Sequence, residues 1–126
     1  MKAFDVSATV AEYPKLPYEK IKNDILGSSY NLSLVFIGKT RAQSLNKTYR
    51  KKSYVPNVLS FPIEKSVGEI FITPEVAQRE AKKHDLSYSG YIGFLFIHGL
   101  LHLKGLAHGD TMEKAEKRFI SKYRLK

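Results

Sequence analysis

The sequence predicts a single α+β domain over residues 1–126, with a small mixed four-stranded sheet and about five helices packed around a central buried helix. Three observations predict it. Segments of strand-like alternation are interleaved with segments of helical spacing, giving the order β-α-β-α-β-β-α-α-α. Residues 89–104 are apolar almost all round, the mark of a helix covered on every side. A chain of 126 residues, 43% hydrophobic and 26% charged, suits one core inside one solvated surface.

Residues 3–10 alternate apolar and polar side chains and read as the first strand. Pro14 and Pro17 end it, and residues 18–26 follow with helical spacing up to Gly27. Residues 31–37 form the second strand, closed by Gly38. Residues 40–49 read as a helix with Ala42, Leu45 and Tyr49 along one side. A basic, irregular stretch follows, from Arg50 to Pro56. Residues 58–61 and 69–72 look like two short strands, with 62–68 as the turn between them. Thr73 is expected to cap the next helix, residues 74–84, with Pro74 at its first position. The central helix then runs to Lys104, with Gly105 as its left-handed stop. Asp110 and Glu113 give a capping-box-like start to a last helix, which ends at Lys122-Tyr123-Arg124.

Lys and Arg number 21 against 12 Asp and Glu, a net charge of +9. Such an excess favours a polyanionic partner (RNA, DNA and an anionic membrane all fit), while a merely basic surface is the blander explanation. The absence of cysteine excludes disulfides, thiolate ligands and a thiol nucleophile. Any transition-metal site must use histidine, carboxylate and water. The first residues carry no apolar run of the signal-peptide kind. Residues 91–103, the most apolar stretch, contain two histidines and fall short of the roughly 20 residues that span a bilayer. No membrane association and a cytoplasmic location are therefore expected.

The chemistry concentrates in His98-Gly99-Leu100-Leu101-His102-Leu103-Lys104-Gly105-Leu106-Ala107-His108. His98 and His102 lie four apart, so on a helix both imidazoles leave the same face one turn apart. Gly105 ends that helix and lets the chain fold back, which brings His108 toward the same point. Three histidines with an open fourth position suit a catalytic zinc, and nickel, copper or another divalent metal would also accept them. A lone histidine on a buried helix is most often a hydrogen-bonded core residue; the triplet argues for metal. His84, after Lys82 and Lys83 at the end of a helix, reads as a surface residue.

The spacing is that of the metzincin protease motif with its general-base glutamate replaced by Gly99. Glycine cannot take a proton, which argues against peptide hydrolysis. A metal would still bring the pKa of its water toward 7. For a phosphodiester, Arg50, Lys51 and Lys52 supply the positive charge, with Arg50 the better clamp because its planar fork donates two parallel hydrogen bonds. By itself that trio is an ordinary solvated cluster.

Its context changes the reading. Leu45-Asn46-Lys47-Thr48-Tyr49-Arg50 followed by Asn57-Val58-Leu59-Ser60-Phe61-Pro62 resembles the LNxxYR and (N/D)VLSFP blocks of the YbeY family. These proteins are single-strand-specific metallo-endoribonucleases of ribosomal RNA maturation. Gly68-Glu69-Ile70-Phe71-Ile72 is similar to the family's G(D/E)I strand, and residues 98–108 to its HGxLHLxGxxH block. The resemblance runs from about Asn31 to Glu116. It implies zinc on His98, His102 and His108, an essential Arg50, and a metal at the foot of a basic cleft in an α+β fold. It also implies single-stranded RNA as substrate, with small-subunit ribosomal RNA and ribosome quality control as the setting. The sequence departs from the family at Ser53, where Asp is usual, and at Val55-Pro56 and Leu106-Ala107.

The expected catalytic residues are Arg50 and His98, and the expected substrate contacts are Arg50, Lys51 and Lys52. Tyr49, Tyr54 and Phe61 are candidates for base stacking, though Phe61 fits a core better. The general acid stays unassigned, and attack by water or by the 2′-hydroxyl stays open. Two alternatives remain beside the nuclease. One is a metalloprotease-like hydrolase, disfavoured by Gly99. The other is a non-catalytic RNA- or ribosome-binding module with a structural metal, which Asp110 as a fourth ligand would favour.

Overall fold

A computed structural model describes residues 3–126. Its elements are β1 (Phe4–Ala8), α1 (Tyr18–Leu26), β2 (Asn31–Phe36), α2 (Lys39–Arg50), β3 (Val58–Glu64), β4 (Val67–Ile72), α3 (Pro74–Glu80), a 3₁₀ turn (Ala81–His84), α4 (Tyr88–Lys104) and α5 (Asp110–Lys122). The four strands form one sheet in the order β1-β2-β4-β3. β1 and β4 both run parallel to β2, and β3 runs antiparallel to β4, so the sheet is mixed.

Alternation along the strands builds two apolar layers. Leu32, Leu34 and Phe36 of β2, with Ile70 and Ile72 of β4, join the main core under α1, α3, α4 and α5. Their neighbours Val35 and Phe71 point the other way, where they pack with Leu59, Ile37 and Ala42 beneath α2. α4 lies across the main layer and is buried along most of its length, with Phe96, Ile97 and Leu100 fully inside. That explains its lack of a polar face. Among the described residues no single helix is long and apolar enough to cross a membrane.

Four local expectations are corrected. Residues 62–68 are not a turn: β3 and β4 continue through them as a hairpin joined at Lys65-Ser66, with Pro62 paired to Gly68 and a register shift between Pro62 and Glu64. Proline is tolerated because β3 is an edge strand. β1 stops at Ala8, short of Val10. Thr73 and Asp110 make no capping hydrogen bonds through their side chains; Thr73 stands before Pro74, whose missing N–H leaves one orphan donor fewer, and the α5 cap position belongs to Gly109 at φ 148°. α4 starts at Tyr88, where the Ser87 hydroxyl accepts from the Gly90 amide at 3.1 Å.

Candidate metal centre

The site begins with how α4 ends. Gly105 adopts φ 107°, the Gly105 amide donates to the His102 carbonyl at 3.0 Å, and the Leu106 amide donates to the Leu101 carbonyl at 3.0 Å. This is a Schellman closure, and a side chain at position 105 would be strained in it. It reverses the chain within four residues and returns His108 to the face carrying His98 and His102.

One ligand nitrogen from each of His98, His102 and His108 lies within 4.8 Å of the others, so the three can hold a metal ion. His98 Nε2 and His102 Nε2 are 3.0 Å apart. Nitrogens bound tetrahedrally at 2.0–2.1 Å sit roughly 3.3 Å from each other, so this pair fits a zinc-sized ion with little adjustment. Asp110 is not part of the cluster. His98, His102 and His108 also line a hollow of about 390 Å³, so an ion held by them would face a cleft.

Two features hold the imidazoles ready. His98 Nδ1 donates to Glu116 Oε2 on α5 at 2.6 Å, which fixes the ring and leaves the Nε2 lone pair for a metal. Burial pushes the His102 pKa down, the His98 and His108 rings push it further, and a hydrogen bond to the Leu106 backbone and the Glu116 charge oppose them. The neutral form, which binds metal, is therefore favoured. Removing the carboxylate anchor by Glu116→Ala is expected to weaken metal affinity about 10–100-fold, measurable by competition with a chromogenic chelator.

Gly99 explains why the glutamate of a protease has no counterpart. A Cβ at position 99 would lie 3.1 Å from Ile70 Cδ1 and 3.3 Å from Ser60 Oγ. α4 approaches the sheet closely here, so a side chain at position 99 would press on Ile70 and Ser60 at the floor of the cleft that Gly99 itself lines. Ser60 ties this contact by donating its hydroxyl to the Gly99 carbonyl at 2.7 Å, which makes it a strap between strand and helix.

Across the cleft stands Arg50, the last residue of α2. Its Nη1 donates to Asn46 Oδ1 at 3.1 Å and to the Tyr54 hydroxyl at 3.2 Å. Buried Asn46 also donates its Nδ2 to the Tyr54 carbonyl at 3.0 Å, pinning the loop that follows. Lys51 caps α2 in the left-handed conformation, φ 56°, which turns the chain toward the cleft wall of Tyr54, Pro56 and Asn57. Lys51 and Lys52 are exposed and do not line the cleft. Of the aromatic candidates, Tyr54 lines it, Tyr49 is exposed with its ring 5.6 Å from Phe61, and Phe61 packs edge-on against Phe71. Ser53, one of the departures, is exposed and engages only its carbonyl, which accepts from Gln43 Nε2 at 2.7 Å.

Two positioning residues were missed by sequence reasoning. Asn46 sits in the resembling LNxxYR block without an obvious task. Glu116 is one acid among several on an amphipathic helix, and nothing local singles it out.

A family model described as endoribonuclease YbeY matches residues 3–124. The chain belongs to the YbeY endoribonuclease family. Among similar YbeY endoribonucleases, that of Mesoplasma florum is 44% identical over 111 residues, covering 79% of this chain and 62% of its own length. That of Mycoplasma mycoides subsp. mycoides is 34% identical over 117 residues, 77% of this chain and 71% of the relative. The Bdellovibrio bacteriovorus relative is 40% identical over 90 residues, 70% and 60% of the two chains. The matches thus span roughly 60–70% of these relatives' length. The fold is also that of a Thermotoga maritima protein solved in solution, with a TM-score of 0.69 at 20% identity over 95% of this chain and 91% of that one.

Proposed function

We propose that the chain is a zinc-dependent endoribonuclease that cleaves single-stranded RNA, with ribosomal RNA as its substrate and the cytoplasm as its place of action. The observation that carries this reading is a three-histidine metal cluster facing Arg50 across one cleft, in a chain of the YbeY family. His98, His102 and His108 would hold the ion, which when bound would supply Lewis acidity toward water and a phosphoryl oxygen.

The protein's own residues do the rest. Arg50 is oriented through Nη1 by Asn46 and Tyr54, and its remaining N–H donors take the nonbridging oxygens of the scissile phosphate, where charge grows in the transition state. Glu116 holds His98 in the tautomer that presents Nε2 to the ion. Tyr54, on the cleft wall, offers a ring on which a splayed base can stack, and paired bases cannot splay in this way. The net charge of +9 makes backbone affinity steeply salt-dependent.

The test is cleavage of labelled single-stranded RNA, matched duplex and casein by metal-loaded protein. Cleavage of the single strand alone is expected, and casein hydrolysis without RNA cleavage sinks the proposal. Arg50→Ala is expected to lower the cleavage rate about 10²–10³-fold with the metal retained, the usual cost of losing one preorganised donor to a developing anion. An unchanged rate would dismiss the clamp.

A further inference from the structure

The cleft does not end at His98. A second hollow of about 310 Å³ shares Asn57, Val58 and His98 with the first and runs on to Glu80, His84 and Phe94. Its chemistry differs from that of the Arg50 side. The His84 ring stacks on Tyr91 at 4.8 Å and 19°, Phe94 follows at 5.9 Å and 20° from Tyr91, and Phe94 lies 6.1 Å from His98. Three near-parallel rings therefore lead toward the histidine cluster, where His98 is tilted by 37° from Phe94.

Beside the rings sits a half-buried carboxylate. Glu80 Oε1 accepts from Asn57 Nδ2 at 3.0 Å and from the Tyr91 hydroxyl at 3.0 Å. Burial, helped by Glu80, pushes the Tyr91 pKa up to about 12, so this hydroxyl remains a donor. The two bonds fix the carboxylate, while Oε2 has no hydrogen-bond partner among the described residues. The fixed acid suits a group bearing N–H donors, while Lys83 on the same lining offers a cation to the adjoining backbone phosphate.

We propose that this second hollow is a nucleobase subsite, in which a base next to the scissile phosphate packs on Phe94 and His84 and donates from its edge to Glu80 Oε2. The inference rests on the reading of the chain as a single-strand nuclease and adds base preference to it. Guanine presents adjacent N1–H and N2–H donors that meet a carboxylate with two bonds. Adenine and cytosine present one amino group, an acceptor beside it. Uracil offers a single N–H between two carbonyl oxygens, both of which face the carboxylate unfavourably. Stacking itself is indifferent to base identity, so the discrimination belongs to Glu80.

The test uses short single-stranded RNAs of uridine with one position changed to guanosine, adenosine or cytidine. Binding to metal-free protein is followed by fluorescence anisotropy, and cleavage by the metal-loaded protein is mapped in parallel. Wild type is expected to favour the guanosine-bearing strand over all-uridine RNA by about 10-fold or more, the usual value of hydrogen bonds to a charged group. Glu80→Gln is expected to bring that ratio to within about 2-fold, by loss of the guanosine preference together with a modest gain for all-uridine RNA as the repelling charge goes. Phe94→Leu weakens every strand alike and leaves the ratio intact. A wild type blind to the base, or a Glu80→Gln variant that keeps the preference, overturns the subsite. Cleavage without preference removes the subsite and leaves the nuclease standing; preference in binding without cleavage does the reverse.

Discussion

Replacing His102 with alanine is expected to empty the metal centre and lower single-strand RNA cleavage by more than about 100-fold, since removing even a partner one bond further from a metal costs about 10–100-fold. His102 Nε2 sits 3.0 Å from His98 Nε2, and without it only two nitrogens remain, one of them on the exposed His108. Metal content by atomic emission, read beside cleavage of labelled RNA, checks this. A variant that keeps a full equivalent of metal and normal cleavage would show that the triplet is not the centre. Acid should act in the same direction. In the metal-free fold the His102 pKa is lowered, by burial first and then by its two histidine neighbours, so the unfolded chain binds the proton more readily. That share of stability is present above the ordinary imidazole pKa and is lost as pH falls through the depressed one. Protonation also removes the lone pair the ion needs, so metal occupancy is expected to fall as the pH drops below the usual histidine range.

The second large effect is expected at Gly99. Writing the protease glutamate into the motif, Gly99→Glu, should yield no peptidase and should destabilise the fold by roughly 1–3 kcal/mol, from overpacking against Ile70 and Ser60. The geometry gives the reason: the Cβ vector meets Ile70 at 3.1 Å and Ser60 at 3.3 Å, so the added side chain must displace both at the cleft floor. Urea midpoints and casein digestion provide the measurement. Wild-type stability with new peptidase activity would mean that the contact yields and the glutamate reaches the histidines.

What the sequence disclosed and what it hid follow from range. The three histidines could be read because their convergence is local: two ligands share a helical face, and one glycine reverses the chain to supply the third. α4 could be read because burial on all sides leaves no polar stripe. The two strands of the β3–β4 hairpin were legible, but their extension toward Lys65-Ser66 was hidden by Pro62, a breaker in most settings that an edge strand accommodates. Thr73 and Asp110 have the right residue types for caps, yet neither side chain caps its helix. Glu116 and Glu80 were out of reach for a different reason. Each acquires its task only when a partner 18 or 23 residues distant, His98 or Asn57, is folded against it.

The three ligands are unequally mounted. His98 and His102 project from a helix locked into the core, with one ring tethered to α5, whereas His108 is exposed on a short loop between Gly105 and Gly109, both at positive φ. An ion there would rest on two ligands set by the core and a third set by a surface loop, so changes at Gly105 or Gly109 would alter metal affinity without touching a ligand.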